Sequence, residues 1–199
     1  MKPRISLIFN TCCLDPRAKD YRNPYRSTNY EDRANLLREV LKNLSGFDEV
    51  IVAGNFEEGE NYHYIEVPPY YHDRRDALRQ RELGARYTTG DLLVFSHDDH
   101  APGGNLAYQL KDGIEGDIIV PKRINKSSSK TLNNGKSTDM MGGHLLIMRR
   151  WVWAKVPWTS VHTEWWDVTM TRLWREAGAE IMWNDDLICY DVEAKADET

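Results

Sequence analysis

Leu92-Leu93-Val94-Phe95 is an uninterrupted apolar run. Directly after Ser96 come four ionisable residues, His97-Asp98-Asp99-His100, and Pro102-Gly103-Gly104 then turns the chain away. A short apolar run bounded by turn residues reads as a strand buried on both faces, which calls for a sheet with covering layers on each side. Two adjacent carboxylates at the end of such a strand raise each other's pKa and call for a counter-ion. A divalent cation holding a phosphate supplies one, because carboxylate and phosphate oxygens suit Mg or Mn. The plainer reading of the same residues is an acidic turn in solvent.

The residues before this run predict how the strand is covered. Ile5-Ser6-Leu7-Ile8-Phe9-Asn10 reads as an opening strand. Thr28, with Glu31 three residues on, has the capping-box pattern. A helix is predicted from Glu31 to Leu44, with Leu36, Val40 and Leu44 on one face and Leu37 and Leu41 widening it. Gly46 stands where a C-cap glycine belongs. Glu49 to Ala53 is a second strand closed by Gly54-Asn55, and Tyr64 to Val67 a third, stopped by Pro68-Pro69. Asp73 can cap a second helix from Arg74 to Tyr87, broken by Gly90. Strand–helix–strand–strand–helix–strand predicts a mostly parallel sheet with helices on its faces. Such sheets bind ligands beyond the carboxyl ends of their strands, which puts Asn10-Thr11, Gly54-Asn55 and His97-Asp98-Asp99 at one edge.

The second half is less regular. A short helix is predicted from Asn105 to Leu110, a strand from Asp117 to Val120 ended by Pro121, and a strand from Gly142 to Met148. Between them, Lys122 to Lys136 holds five basic residues and no acid, with a serine triplet and Asn133-Asn134-Gly135. It reads as a mobile loop: a solvated linker, or a lid over a phosphate-bearing donor or an anionic acceptor, nucleic acid included. Thr163 can cap a helix to Ala177, with Gly178 past its end. Ala179 to Trp183 and Leu187 to Tyr190 read as final short strands, followed by a polar tail from Glu193 to Thr199.

Composition excludes several classes. At 199 residues and 41% hydrophobic, the chain suits one domain with a proper core. A net charge of -5 provides no global basic field for nucleic acid. The apolar run Ile5 to Phe9 is too short for a secretory signal, and no stretch reaches the ~20 apolar residues of a membrane span. Cys12, Cys13 and the distant Cys189 form neither a disulfide framework nor a zinc spacing, so small thiols in a reducing cytoplasm are expected.

Five pieces of sequence, in order, resemble family-two glycosyltransferases. They are the strand Ile5 to Asn10; Arg81-Glu82-Leu83-Gly84-Ala85 through Gly90-Asp91-Leu92-Leu93-Val94-Phe95; His97-Asp98-Asp99, where those enzymes carry an Asp-x-Asp metal motif; Gly142-Gly143-His144 through Arg149-Arg150; and Trp166-Asp167-Val168-Thr169 with Arg172, Leu173, Ala177 and Gly178. The resemblance spans roughly residues 4 to 192. It implies one domain of the GT-A type, an α/β fold with a mixed, mostly parallel sheet. Residues 1–104 would form the half that binds the nucleotide-sugar, 105–192 the acceptor side, and 193–199 a frayed tail. The family's pattern is departed from at Gly54-Asn55, where two acids are usual, at His97 in place of the first acid, at Trp166 in place of a glutamate, and at Tyr190-Asp191 in place of a late histidine.

What the resemblance implies is metal-dependent, inverting transfer of a sugar from a UDP- or GDP-linked donor to an acceptor hydroxyl. Asp99, with Asp191 as a substitute for the late histidine, would hold Mn or Mg. Asn10, Thr11, Asn55, Arg81, His97 and Asp98 would meet the donor. Gly143, His144, Glu164, Trp165 and Trp166 would lie toward the acceptor. Asp167 is the candidate base: the first turns of a helix keep a carboxylate ionised, and the tryptophans beside it desolvate it. Glu164 is the alternative base. Trp151, Trp153, Trp158 and Trp165 can form a platform for a sugar or belong to the core, and a split is expected. Arg74, Arg75, Arg79 and Arg81 otherwise read as a solvated helix face. Two rivals stand beside this reading. One is a non-catalytic module that holds nucleotide or glycan. The other is a sugar nucleotidyltransferase, which calls for a Gly-rich phosphate loop that Asn10-Thr11-Cys12-Cys13 does not provide.

Overall fold

The structure, a computed structural model, describes residues 2–11, 30–68, 74–142, 144–160 and 166–191. Thr28, Asp73, Thr163, Cys12, Cys13, Gly143, Glu164, Trp165 and the tail lie outside the described residues, as do the side chains of Arg74 and Arg75. The elements run β1 (Ile5–Thr11), α1 (Tyr30–Lys42), β2 (Glu49–Gly54), β3 (His63–Glu66), α2 (Arg74–Arg86), β4 (Leu92–His97), β5 (His100–Pro102), α3 (Leu106–Asp112), β6 (Ile118–Asn125), β7 (Thr131–Leu132), β8 (Leu146–Arg149), α4 (Arg150–Lys155), α5 (Trp166–Glu176) and β9 (Ile181–Asp191).

The nine strands form one sheet in the order β3-β2-β1-β4-β8-β6-β9-β5, with β7 paired to β6. β1, β2, β3, β4, β6 and β9 run one way; β5, β7 and β8 run against them. The sheet is curled, and chain connectivity says why. Three Cα steps from His97 to His100 reach at most roughly 11 Å, yet β4 and β5 stand four strand spacings apart in sheet order, about 19 Å in a flat sheet. The far edge must therefore come round to the end of β4.

The apolar run that reads as a doubly buried strand is one. Leu93 and Phe95 of β4 join Ile8, Ile51, Leu146 and Met148 on one face, under Leu78 of α2, Val152 of α4 and Met170 and Trp174 of α5. Leu92 and Val94 join Ile5, Leu7, Phe9 and Ile147 on the other, under Leu37 of α1 and Leu106 and Leu110 of α3. Each such side chain, fully removed from water, contributes about 1.5–3 kcal/mol before entropy is set against it. Buried Glu82 ties α2 to α4 and the turn after it by accepting from the Trp153 indole (3.0 Å) and the Trp158 backbone N–H (3.1 Å).

Four expectations change. The strand predicted to end at Pro121 continues to Asn125, because β9 carries extra residues opposite this point. Pro121 pairs with Asn184 and Lys122 with Ile188, and this bulge accommodates a residue with no N–H. The two final short strands are thus the two limbs of one bulged strand, β9. The basic stretch Lys122 to Lys136 is, in its first part, a hairpin rather than a loop: Asn125 Oδ1 accepts the Ser127 and Ser128 N–H groups at the turn, and β7 pairs back on β6. Its charge is partly spent internally, since Lys136 pairs with Asp185 at 2.8 Å and Arg123 with Asp191. Finally, the strand predicted from Gly142 begins only at Leu146, and the short elements β5 and α4 carry too few residues to show a period.

Candidate active site

The carboxyl edge of the parallel strands gathers the polar residues that the apolar runs end on. Parallel pairing sets Asn10 of β1 opposite His97 of β4. Arg81 Nε donates to Asn10 Oδ1 at 2.9 Å. That fixes the amide, so its Nδ2 donates to His97 Nδ1 at 2.7 Å and His97 carries its own proton on Nε2 when neutral. Thr11 Oγ1 donates to Asp98 Oδ2 at 2.9 Å, and Gln80 Nε2 to the Thr11 carbonyl at 3.0 Å. Gly54 allows this edge to close: at φ +144° its Cα lies so near β1 that a Cβ would stand 1.8 Å from the Thr11 oxygen. The Asn55 N–H then donates to that same carbonyl at 3.0 Å, which keeps half-buried Asn55 at the edge.

Asp98 and Asp99 form the two-residue turn between β4 and β5, and both are buried. Arg33 of α1 pairs with Asp98 and stands 3.8 Å from Asp99. His100 Nδ1 donates to Asp99 Oδ1 at 2.6 Å. Antiparallel pairing sets His100 opposite Asp191, and its Nε2 lies 3.5 Å from Asp191 Oδ2. Arg123 of β6 closes the chain, donating from Nε to Asp191 Oδ2 at 3.0 Å. Burial raises the Asp191 carboxyl, but hydrogen bonds and charge from His100 and Arg123 outweigh it and hold the group well below the usual carboxylate range. His144 stacks on His100 at 5.7 Å. Burial first, then the charges of His100 and Arg123, keep His144 well below the usual imidazole range and therefore neutral. Its Nε2 is buried and has no hydrogen-bond partner among the described residues.

Arg81, expected at the donor or otherwise on a solvated helix face, is fully buried, which rules out the solvated face. It packs over the rings of Trp158 (4.9 Å) and Trp166 (5.1 Å), and burial pushes its pKa down to about 9. Here it positions Asn10, with a further 3.4 Å bond to the His144 carbonyl. Trp166, expected toward the acceptor, is likewise a core residue. The tryptophans do split: Trp158 is fully buried, Trp153 half-buried, Trp151 exposed. Asp167 sits half-buried in the first turn of α5, where its Oδ1 accepts the Val168 N–H at 2.9 Å. Cys189 is a buried thiol that burial pushes up, which makes it inert.

Sequence reasoning missed Arg33 and Arg123 as members of this network, and gave His100, one of the four ionisable residues after β4, no role in it. Their one signal was the unbalanced charge of Asp98-Asp99. Among the described residues, no three His, Cys, Asp or Glu side chains converge as ligands for a metal ion. Asp99 and Asp191, the acids assigned to the metal, face the His100 ring from its two nitrogens. So disposed, they do not fit an ion held between them.

No protein-family model matches the chain, and no curated protein matches it in sequence. Solved structures do match in fold. Residues 1–349 of Staphylococcus aureus TarS share 11% identity over 95% of this chain and 60% of that one, with a TM-score of 0.64. The same TarS fragment in complex with UDP-GlcNAc gives 12%, 98%, 60% and 0.60. The mannosyltransferase PcManGT of Pyrobaculum calidifontis, in complex with GDP-Man and Mn2+, shares 13% identity over 99% of this chain and 59% of that one, with a TM-score of 0.64. The chain thus spans about three-fifths of the length of these neighbours. No described helix is long and apolar enough to cross a membrane. The order of strands, the curled and mostly parallel sheet and the flanking helices together are a GT-A-type α/β fold.

Proposed function

We propose that this chain transfers a sugar from a nucleotide-diphosphate donor to an acceptor hydroxyl, with inversion at the anomeric carbon. The observation that carries the reading is the meeting of Asn10, Thr11, His97 and Asp98 at the carboxyl edge of the parallel strands. The complexes of PcManGT with GDP-Man and of TarS with UDP-GlcNAc support a donor of this class. The donor lies along that edge, in reach of Asn55. The acceptor is taken up on the side of His144. Asp167 takes the proton of the acceptor hydroxyl as its oxygen bonds to the anomeric carbon; the bond from that carbon to the diphosphate oxygen breaks, and the electron pair leaves with the diphosphate. Arg123, partly exposed, meets part of that charge. The complex of PcManGT with GDP-Man and Mn2+ supports a divalent cation in such a reaction, but Asp99 and Asp191 as they stand offer it no joint site.

The test is nucleotide release from a panel of UDP-, GDP- and dTDP-sugars, with and without Mn2+. Asp167→Asn should lower turnover by about 10²–10⁴-fold while leaving nucleotide binding intact. Unchanged turnover in that variant removes Asp167 as the base. One observation favours a second reading, a module that binds nucleotide or glycan without catalysis: Asp98 and Asp99 are already closed by Arg33 and His100. Tight nucleotide binding with no release on any acceptor selects it.

A further inference from the structure

Two adjacent buried carboxylates need a counter-charge, and among the described residues Arg33 supplies it at this turn. Asp98 Oδ2 accepts from Thr11 and Asp98 Oδ1 from Arg33 Nη2. Asp99 Oδ1 accepts from His100 Nδ1, and Asp99 Oδ2 faces Arg33 Nη2 at 3.8 Å. All four oxygens thus face a donor of the chain itself. The Arg33 side chain is 13% exposed and the two carboxylates 2% each, so these charges meet where water screens them little. A hard divalent cation binds bare carboxylate oxygens at about 2.0–2.6 Å. Here it would have to enter beside the Arg33 guanidinium, which repels it.

We infer that Arg33 fills the position of counter-ion at the Asp98–Asp99 turn, so that a divalent cation and the Arg33 guanidinium compete for the same carboxylates. The turn is the one the donor-binding reading uses, but the inference stands without nucleotide, and either can fail alone. The guanidinium holds the turn closed in the cation-free protein. A cation that binds there does so only as Arg33 swings away, and its apparent affinity carries the cost of that exchange.

The test is Mn2+ alone, titrated into the whole chain and followed by electron paramagnetic resonance, with melting measured in EDTA and in Mn2+. The wild type should bind Mn2+ no tighter than the millimolar range and melt at the same temperature in both. Arg33→Gln should melt lower in EDTA, be restored by Mn2+, and bind the ion roughly tenfold or more tighter than wild type. Asp98→Asn placed on Arg33→Gln should abolish that gain. Arg33→Lys, which keeps the charge, should stay insensitive to Mn2+. If Arg33→Gln folds only when Mn2+ is present, the inference is supported. A wild type that binds one Mn2+ below about 100 μM without nucleotide overturns it. So does an Arg33→Gln variant that folds but gains no affinity, or that fails to fold even with Mn2+ present.

Discussion

Trp158 is a central side chain of the core under α2, α4 and α5, and its removal has a calculable outcome. Its ring is fully buried and makes edge contacts with Phe95 (5.0 Å), Trp166 (5.6 Å) and Trp174 (5.0 Å), with Arg81 over its face. Truncating a buried Trp costs about 3–5 kcal/mol, of which each edge pair carries about 0.5–1.5. One term opposes this. The Trp158 indole N–H is buried with no hydrogen-bond partner among the described residues, an orphan worth about 1–3 kcal/mol. Trp158→Phe keeps an aromatic ring, loses part of the packing and removes the orphan donor, so the two effects nearly cancel and stability should change by no more than about 1 kcal/mol. Trp158→Leu removes the donor as well but forfeits the aromatic pairs and the face under Arg81, and should lose about 2–3 kcal/mol. Urea unfolding reads this as a lowered midpoint at constant slope, and thermal melting as roughly 2–4 °C per kcal/mol. The Leu variant should also weaken nucleotide binding, because Arg81 orients Asn10. Equal losses of more than about 3 kcal/mol in both variants would refute the reasoning, since the indole N–H would then have been satisfied.

Glu49→Gln should destabilise by on the order of 2–3 kcal/mol at pH 7: burial raises this carboxyl, but the Ser6 and Thr89 hydroxyls, the Thr89 N–H and Arg4 hold it down to about 2, against an ordinary 4.5. Because the folded value is the depressed one, the difference from wild type is full above pH 4.5 and is lost as pH falls toward 2, which unfolding at a series of pH values checks. Gly54→Ala should cost more than about 2 kcal/mol and disturb the Thr11–Asp98 bond, seen as a fall in both melting temperature and nucleotide affinity, because its Cβ has no room against the Thr11 oxygen. Arg123→Met should raise the Asp191 pKa and move the acid-unfolding midpoint to higher pH, since stability held by a depressed carboxylate is lost as pH falls through its folded value.

The central strands were legible because burial on both faces writes itself as Leu92-Leu93-Val94-Phe95, and the alternation of helix and strand around it has few solutions. β6 beyond Pro121 was not legible, because proline argues against a strand and only the bulge opposite, in β9, makes it admissible. The site shows the same division. Asn10 and His97 could be placed at one edge from strand ends alone, since parallel register decides it. Arg81 was misplaced because a run of arginines on a polar helix carries no mark of which one turns inward; the cage of Trp158 and Trp166 that receives it comes from residues more than seventy positions away. Arg33 and Arg123 were invisible for the same reason, as their partners lie 65 and 68 residues along the chain.

That blindness has a physical consequence for the charge at the β4 turn. From sequence, Asp98-Asp99 demanded a cation, and a divalent ion was the economical answer because it needs no other part of the chain. The fold answers the demand with its own groups: Arg33 from the helix after β1, His100 from the strand the turn leads into, and through His100 the Asp191–Arg123 pair at the opposite side of the curled sheet. A network of this kind links both halves of the domain through buried charges, and a ligand that takes one member away leaves the next uncompensated, at a cost of about 3–5 kcal/mol for a buried pair broken on one side. Donor binding at this edge must therefore replace what it breaks. A diphosphate entering with a divalent cation would be suited to do so, because the anion meets the arginines while the cation takes over their carboxylates. A neutral glycan is not, and on this ground the transferase reading and the reading as a glycan-binding module predict different salt dependence: binding that weakens with ionic strength, modestly because these charges are largely buried, for the first, and binding nearly indifferent to it for the second.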